Sequence, residues 1–345
     1  MKHKVAILGA TGAVGQRFVQ LLENHPDFEI HELVASERSA GKKYSDATKW
    51  KLSTPMPSDG KSKIVKSLKD QLESKILFSG LDSDVAGEAE SNYRNLCYTV
   101  ISNSKNHRMD SDVPLVVPEI NPDHLEMVKE QRKKYNGGAI VTNPNCSTIG
   151  TVLGLAPLLE FGIESLMVTT MQAISGAGYP GLPSFDILDN VIPHIGGEED
   201  KIETEPQKIY GKLVGSSVQP NSMKISAQVH RVGVLDGHLV SVSVKFKNTP
   251  TREDMISKFE NYASEPQKLK CFYAPEKPVV YFEAVDRPQT RLDRDLGRGM
   301  SASVGNLRKC SIFDWKFNIL SHNTVRGAAG GTILIAELMM KKGLL

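Results

Sequence analysis

The sequence predicts an α/β protein in two parts. A parallel sheet with helical crossovers comes first, followed by an α+β part with a mixed, largely antiparallel sheet. Three observations carry this. Short apolar runs alternate with helical patterns over roughly the first 100 residues, the signature of a parallel sheet with right-handed crossovers. Beyond residue 140 the apolar runs lengthen, and several alternate apolar with polar, as a sheet with one covered face requires. The length of 345 residues divides into about two domains at ~150 residues each.

VAILGA (5–10) is a continuous apolar run closed by glycine, a buried strand. QRFVQLLENH (16–25) follows with apolar residues at helical spacing. FEIHELVAS (28–36), ILFSGL (76–81) and CYTVISNS (97–104) read as further strands. STPMPSDGKSK (53–63) reads as a surface loop. AIVTNPNCSTIGTVLGLAPLLEF (139–161) is a strand, a tight polar turn and a helix. SLMVTTMQAI (165–174), KISAQVHRVGV (224–234), HLVSVSVKF (238–246) and PVVYFEAV (278–285) are the longer strands. TVRGAAGGTILIAELMMKKG (324–343) is a helix whose terminal lysines suit its dipole, and it is expected to return to the first part.

Composition excludes several classes. Lys and Arg number 42 against 40 Asp and Glu, a net charge of +2, without the basic stripe that bulk nucleic-acid binding uses. No apolar run reaches the ~18 residues of a membrane span. The N-terminal run stops at glycines with no small-residue cleavage site, so it reads as strand and turn, not signal peptide. Four cysteines without CxxC spacing indicate neither a disulfide scaffold nor a metal site. A cytoplasmic protein is expected.

Gly9, Gly12 and Gly15 form a GxxGxxG turn between a strand and a helix. The first permits the turn, the second lets backbone approach a pyrophosphate, and the third lets helix pack on strand. Free N–H groups at the helix start then face the phosphate. The spacing departs from GxGxxG, and it is the strand–turn–helix context that reads as a Rossmann-type dinucleotide site. The second strand selects the cofactor. Its end carries Ser36, Arg38 and Ser39, with Lys42 and Lys43 beyond, in place of a lone acid. Hydroxyls and cations suit a 2′-phosphate, so NADP is expected over NAD provided Glu37 points away.

Cys146 follows the turn Asn143-Pro144-Asn145, with Ser147 or Thr148 as candidate helix caps. Helix-start amides favour a thiolate nucleophile there, and with Asn145 they can hold an oxyanion. Cys97 lies inside an apolar run and is expected to be buried and inert; Cys271 and Cys310 have no comparable setting. A thiolate beside a nicotinamide site suggests aldehyde oxidation through a thioester, with a histidine as acid and base. His230 and His238 are both placed for it, and spacing does not choose between them.

These motifs, with ASERSAGKKY, FSGLDSDVAG, SNSKNHRMDSDVPLVVPEIN, NPNCST, QAISGAGYPG, GEEDK, HRVGVLDGH and HNTVRGAAGG, resemble the archaeal and fungal branch of the aspartate-β-semialdehyde dehydrogenases over essentially the whole chain. The resemblance implies a glyceraldehyde-3-phosphate dehydrogenase-like fold. It also implies NADP-dependent interconversion of 4-aspartyl phosphate and aspartate 4-semialdehyde, on the way to lysine, threonine and methionine. It makes Cys146 the nucleophile and His238 the acid and base, with Asn145 at the oxyanion and Gln172 orienting the substrate. Arg231 would clamp the α-carboxylate, Glu198 read the ammonium, and Arg108 and Lys201 bind phosphate. Thr11, Ala13, Val14, Ser79, Leu81, Ser175, Gly176, Gly178 and Asn323 would join the glycines, Ser36, Arg38 and Ser39 around the cofactor.

The implied division is residues 1–147 with 325–345 for the dinucleotide and 148–324 for catalysis and oligomerisation, in a homodimer or homotetramer without nucleic-acid or membrane partners. No metal is implied. One departure is Asn306, where the family commonly carries Arg, a position expected to serve the fold or the subunit interface. The nearest alternative is malonyl-CoA reductase, which shares the NADP site, cysteine and histidine but has no ammonium to read. N-acetyl-glutamyl-phosphate reductase and a regulator that has lost catalysis fit less well.

Overall fold

The computed structural model describes residues 2–345. The first sheet holds β1 (His3–Leu8), β2 (Phe28–Val34), β3 (Val65–Lys66), β4 (Ile76–Ser79), β5 (Thr99–Ser102) and β6 (Ala139–Thr142). All its pairings are parallel, in the order β3-β2-β1-β4-β5-β6. The order reverses between β1 and β4, which opens a crevice at the carboxyl ends of the strands. β4, β5 and β6 are buried on both faces, as their unbroken apolar runs require. The helix Ala13–Leu22 lays Phe18, Val19 and Leu22 on that sheet. The helix Gly330–Lys341 returns to the same core with Ile333, Leu334, Leu338 and Met339.

The second part holds β7 (Ile163–Gln172), a small hairpin of β8 (Lys212–Val214) and β9 (Ser217–Gln219), then β10 (Lys224–Arg231), β11 (His238–Phe246), β12 (Val279–Phe282), β13 (Ala302–Lys309) and β14 (Trp315–Ser321). The larger sheet runs β10-β7-β11-β14-β13-β12. The outer pairs β10–β7 and β12–β13 are parallel, and the three inner pairs are antiparallel, so the sheet is mixed. The helices Cys146–Leu155 and Glu198–Ile209 cover one face with Leu153, Leu155 and Ile202; the other face leaves Met167 half exposed.

Three expectations change. Cys97 is not inside a strand: it is exposed in the turn before β5, at φ 65°. The 53–63 stretch carries one helical turn, Ser58–Lys61, because Gly60 packs between Val19 and Tyr44. The last helix opens with a wider π turn, Val325–Ala329. β13 and β14 carried no clear sequence signal. The alternation of β13 is broken where its pairing slips between Gly305 and Arg308, and Asn306 sits in that slip at φ 55°, a conformation asparagine tolerates. Among the described residues no helix is long and apolar enough to cross a membrane.

Candidate active site

One end of the strands of the mixed sheet collects the chemistry. β7 ends at Gln172 and β10 ends at Arg231, paired side by side. The antiparallel β11 begins there with His238, opposite Ser321 at the end of β14. Gly237, at φ 95°, makes the turn that enters β11. Four strand ends thus bring distant residues together, and the helix carrying Cys146 points at the same spot.

Asn145 is the N-cap of that helix, correcting the expectation of Ser147 or Thr148: its side-chain oxygen accepts from the N–H groups of both, at 2.9 and 3.1 Å. Cys146 is the first helical residue, with Sγ 3.2 Å from His238 Nε2. The Ala173 N–H donates to His238 Nδ1 at 3.0 Å. With Nδ1 accepting, the neutral ring carries its proton on Nε2, facing the sulfur. His230, by contrast, is only partly buried along β10.

The electrostatics differ from the expected resting thiolate. Burial pushes the Cys146 thiol up to about 12, reinforced by Glu198 and opposed by Arg108, Lys201 and Arg231. Burial pushes His238 down to about 3, with Arg231 as the next cause. Surrounded by protein alone, the pair rests as a thiol and a neutral imidazole.

Glu198 begins the helix Glu198–Ile209 and is buried. Its carboxylate accepts from Asn145 Nδ2 at 3.0 and 3.1 Å, from Gln172 Nε2 at 3.2 Å, and from Lys201. Burial acts to raise its pKa, but the charge of Lys201 and these three donors outweigh it and hold the acid ionised. Arg231 donates to the Ala173 carbonyl at 2.7 Å. Gly176 passes close by: a Cβ there would lie 2.8 Å from Arg231 Nη1 and 3.2 Å from His238 Nε2. Asn323 donates to Ser175 Oγ at 2.7 Å and accepts from the Gly237 N–H at 2.8 Å, bracing the loop and the entry to β11. Gly327, in the π turn, backs the nucleophile so closely that a Cβ would lie 2.8 Å from that of Cys146.

A cleft of about 520 Å³ opens beside this corner, lined by Gly9, Thr11, Gly12, Ala13, Val14, Ser36, Arg38, Leu81 and Gly178 among the expected residues. Ser39 and Ser79 do not line it, and Ser175, Gly176 and Asn323 sit at the nucleophile corner instead. No side chain caps the helix that begins at Ala13, so its first amides are available to a phosphate. Glu37 turns away to pair with Lys69 at 3.3 Å, leaving Ser36 and Arg38 to a 2′-phosphate. These features fit NADP. Sequence reasoning missed Lys49 and Lys51, which also line the cleft. Gln16 holds their loop by donating to the Lys49 carbonyl and accepting from the Lys51 N–H. Lys51 lies 4.3 Å over the ring of Tyr179, bridging the two parts. It also missed Glu205 and Lys208. Their signal was the 3-4-3 spacing of Glu198, Lys201, Glu205 and Lys208, which puts all four on one helix face.

Two family models match the chain: the NAD binding domain of semialdehyde dehydrogenase over residues 4–128, and its dimerisation domain over 155–326. An aspartate-semialdehyde dehydrogenase of Schizosaccharomyces pombe is 52% identical, covering 99% of each chain. One from Archaeoglobus fulgidus is 47% identical, again over 99% of both. The solved structure of the Candida albicans enzyme with NADP superimposes with a TM-score of 0.93 at 44% identity, covering 100% of both chains. With the fold, the cysteine–histidine pair and these likenesses in agreement, the chain belongs to the aspartate-semialdehyde dehydrogenase family.

Proposed function

We propose that this cytoplasmic enzyme reversibly converts L-4-aspartyl phosphate into L-aspartate 4-semialdehyde, with NADP as cofactor, toward lysine, threonine and methionine. The observation that carries the reading is the 3.2 Å approach of Cys146 Sγ to His238 Nε2, between the buried Glu198 and Arg231. Bound NADP supplies or accepts hydride at its nicotinamide. The protein does the rest. Cys146 sulfur attacks the acyl carbonyl, and the C–O bond to phosphate breaks, giving a thioester and free phosphate that leaves toward Arg108 and Lys201. The Cys146 backbone N–H holds the oxyanion, since Asn145 caps the next two amides of this helix start and Glu205 takes the Asn145 N–H. The thiol proton leaves with the departing phosphate. In the reductive direction His238, having taken a second ring proton from solvent, delivers its Nε2 proton to the hemithioacetal oxygen and is neutral again. It takes one back as the C–S bond breaks and the aldehyde leaves.

The substrate completes the electrostatics. Its ammonium cancels the Glu198 charge that raises the thiol pKa, and its carboxylate cancels the Arg231 charge that lowers the imidazole pKa. Those two charge contributions therefore weaken when an amino acid with both groups is bound, while burial, the larger cause of each shift, stays in place. Malonyl-CoA carries no ammonium for Glu198 to meet, so the buried carboxylate favours the amino-acid substrate.

Residues 1–147 with 325–345 form the cofactor unit in this reading, and 148–324 the catalytic and oligomerisation unit. The half-open face of the mixed sheet supports a homodimer or homotetramer.

The test is NADPH formation from aspartate semialdehyde with and without inorganic phosphate. Phosphate-dependent turnover is expected. Turnover that ignores phosphate, or none in protein that binds NADP, would overturn the assignment.

A further inference from the structure

We infer that Glu205 is a positioning residue that fixes Arg108 relative to the nucleophile through one buried carboxylate shared between them. The inference rests on reading Arg108 as a phosphate binder. Glu205 is 2% exposed. One of its oxygens accepts from the backbone N–H of Asn145 at 2.7 Å, the residue before Cys146. The other accepts from Arg108 Nη1 at 2.8 Å. The two partners come from separate loops, after β5 and after β6. A carboxylate serving only to neutralise Arg108 would have no need to hold the nucleophile's neighbour as well.

The grip extends along the same helix. Lys208, one turn further on, donates to the carbonyls of Arg108, Asp110 and Val113 at 2.7 to 2.8 Å. Glu205 therefore holds the side chain of Arg108 while Lys208 holds its backbone. Arg108 Nη2 donates to the Asn103 carbonyl at 2.7 Å, and its buried Nε has no partner. With Nη1 and Nη2 both engaged, the guanidinium plane is set before phosphate arrives. The same helix thus presents Glu198 and Lys201 to the substrate and holds the opposing Arg108 at a fixed distance from Cys146. Preorganised charge of this kind costs no rearrangement at the moment of reaction.

The test is steady-state kinetics in the phosphorylating direction on Glu205→Gln, Arg108→Gln and the double variant. Glu205→Gln is expected to raise the KM for inorganic phosphate roughly tenfold or more, since a buried charge-assisted hydrogen bond is lost. KM for semialdehyde and NADP should stay within about twofold, and in the Arg108→Gln background the second substitution should add less than about twofold, because it acts through the arginine. A KM rise shared equally by all three substrates, or full additivity in the double variant, would reduce Glu205 to general support and overturn the inference. An unchanged phosphate KM in Arg108→Gln alone would instead refute the phosphate assignment, a separate failure. If Glu205→Gln does not fold, Glu205→Asp carries the test. One methylene shorter, it reaches only one partner, so a smaller rise with the same non-additivity is expected, and additivity there is equally fatal.

Discussion

The cofactor cleft and the nucleophile corner are built by opposite means. At the glycine turn of the cleft, backbone does the work and side chains are kept out. Gly9 turns at φ 75° where a Cβ would lie 2.6 Å from the Gly80 carbonyl oxygen, and Gly15 lets the helix meet the strand. At the corner, side chains do the work and backbone is the support. Glu198, Glu205, Arg231 and His238 are all buried there, and helix starts, strand ends and loops each contribute one or two groups. A site made of absent side chains can be written in seven consecutive residues. A site made of charges is collected from several elements: Glu198 and Lys201 pair along one helix, while Arg108 and Arg231 reach it from a loop and a strand end.

The largest expected effect separates the two regions. Cys146→Ser should lower turnover by roughly three orders of magnitude or more while NADP affinity, measured by titration, stays at the wild-type value. A parallel fall in cofactor affinity would show that the two regions are one. Next come two glycines of the same turn. Gly15→Ala places a Cβ against the Gly9 carbonyl and 2.6 Å from Ala10 Cα, so denaturant unfolding should show a loss of about 3 kcal/mol. Gly12 has φ −77° and its nearest neighbour at 3.3 Å. Gly12→Ala should therefore melt close to wild type, yet lose about tenfold in NADP affinity, or ~1.4 kcal/mol. Equal melting of the two variants would break the division of labour among the glycines.

A pH measurement sharpens the other side. In the free enzyme, alkylation of Cys146 by iodoacetamide should keep rising through alkaline pH, because burial and Glu198 hold the thiol protonated. Removing the negative charge in Glu198→Gln should lower the midpoint of that profile, and a midpoint that moves up or stays put would refute the charge balance.

The smallest effect lies under the cleft. Glu32 on β2 accepts from Lys66 Nζ and from the N–H groups of Glu73 and Ser74, at 2.7, 3.1 and 2.9 Å. Burial alone would raise its pKa, but these donors hold it at about 2 against 4.5 unfolded. Its stabilisation is thus present above pH 4.5 and lost as pH falls toward 2. Glu32→Gln should flatten acid unfolding in that window, and identical acid profiles would remove its role.

What could be read in advance follows the same division. The glycine turn, the parallel strands and the basic second loop are local, so periodicity and turn chemistry reveal them. Cys146 at a helix start is local as well, but the choice of His238 over His230 is not. Both lie on strands, and only the sheet order sets the first beside β14 and the nucleophile. Lys51 was hidden because its place depends on Gln16 gripping a loop with no regular structure. Glu205 was hidden for a different reason. A charged residue at core spacing on a polar helix reads as a solvated face until its partners arrive from two other loops. The resting thiol is not legible in the sequence, because a helix-start motif carries no information about the burial and the Glu198 charge that raise its pKa.

The return of the last helix to the first sheet also has a consequence in time. Ile333, Leu334, Leu338 and Met339 complete a core whose other half, Val5, Ile7 and Phe18, is synthesised more than 300 residues earlier. During translation that face of the sheet waits uncovered while the whole second part is being made. The same late segment carries Gly327, which backs Cys146. The nucleophile therefore receives its final seat only when the sheet that holds the cofactor is sealed, and a nascent chain cannot expose a finished catalytic corner before its cofactor site exists.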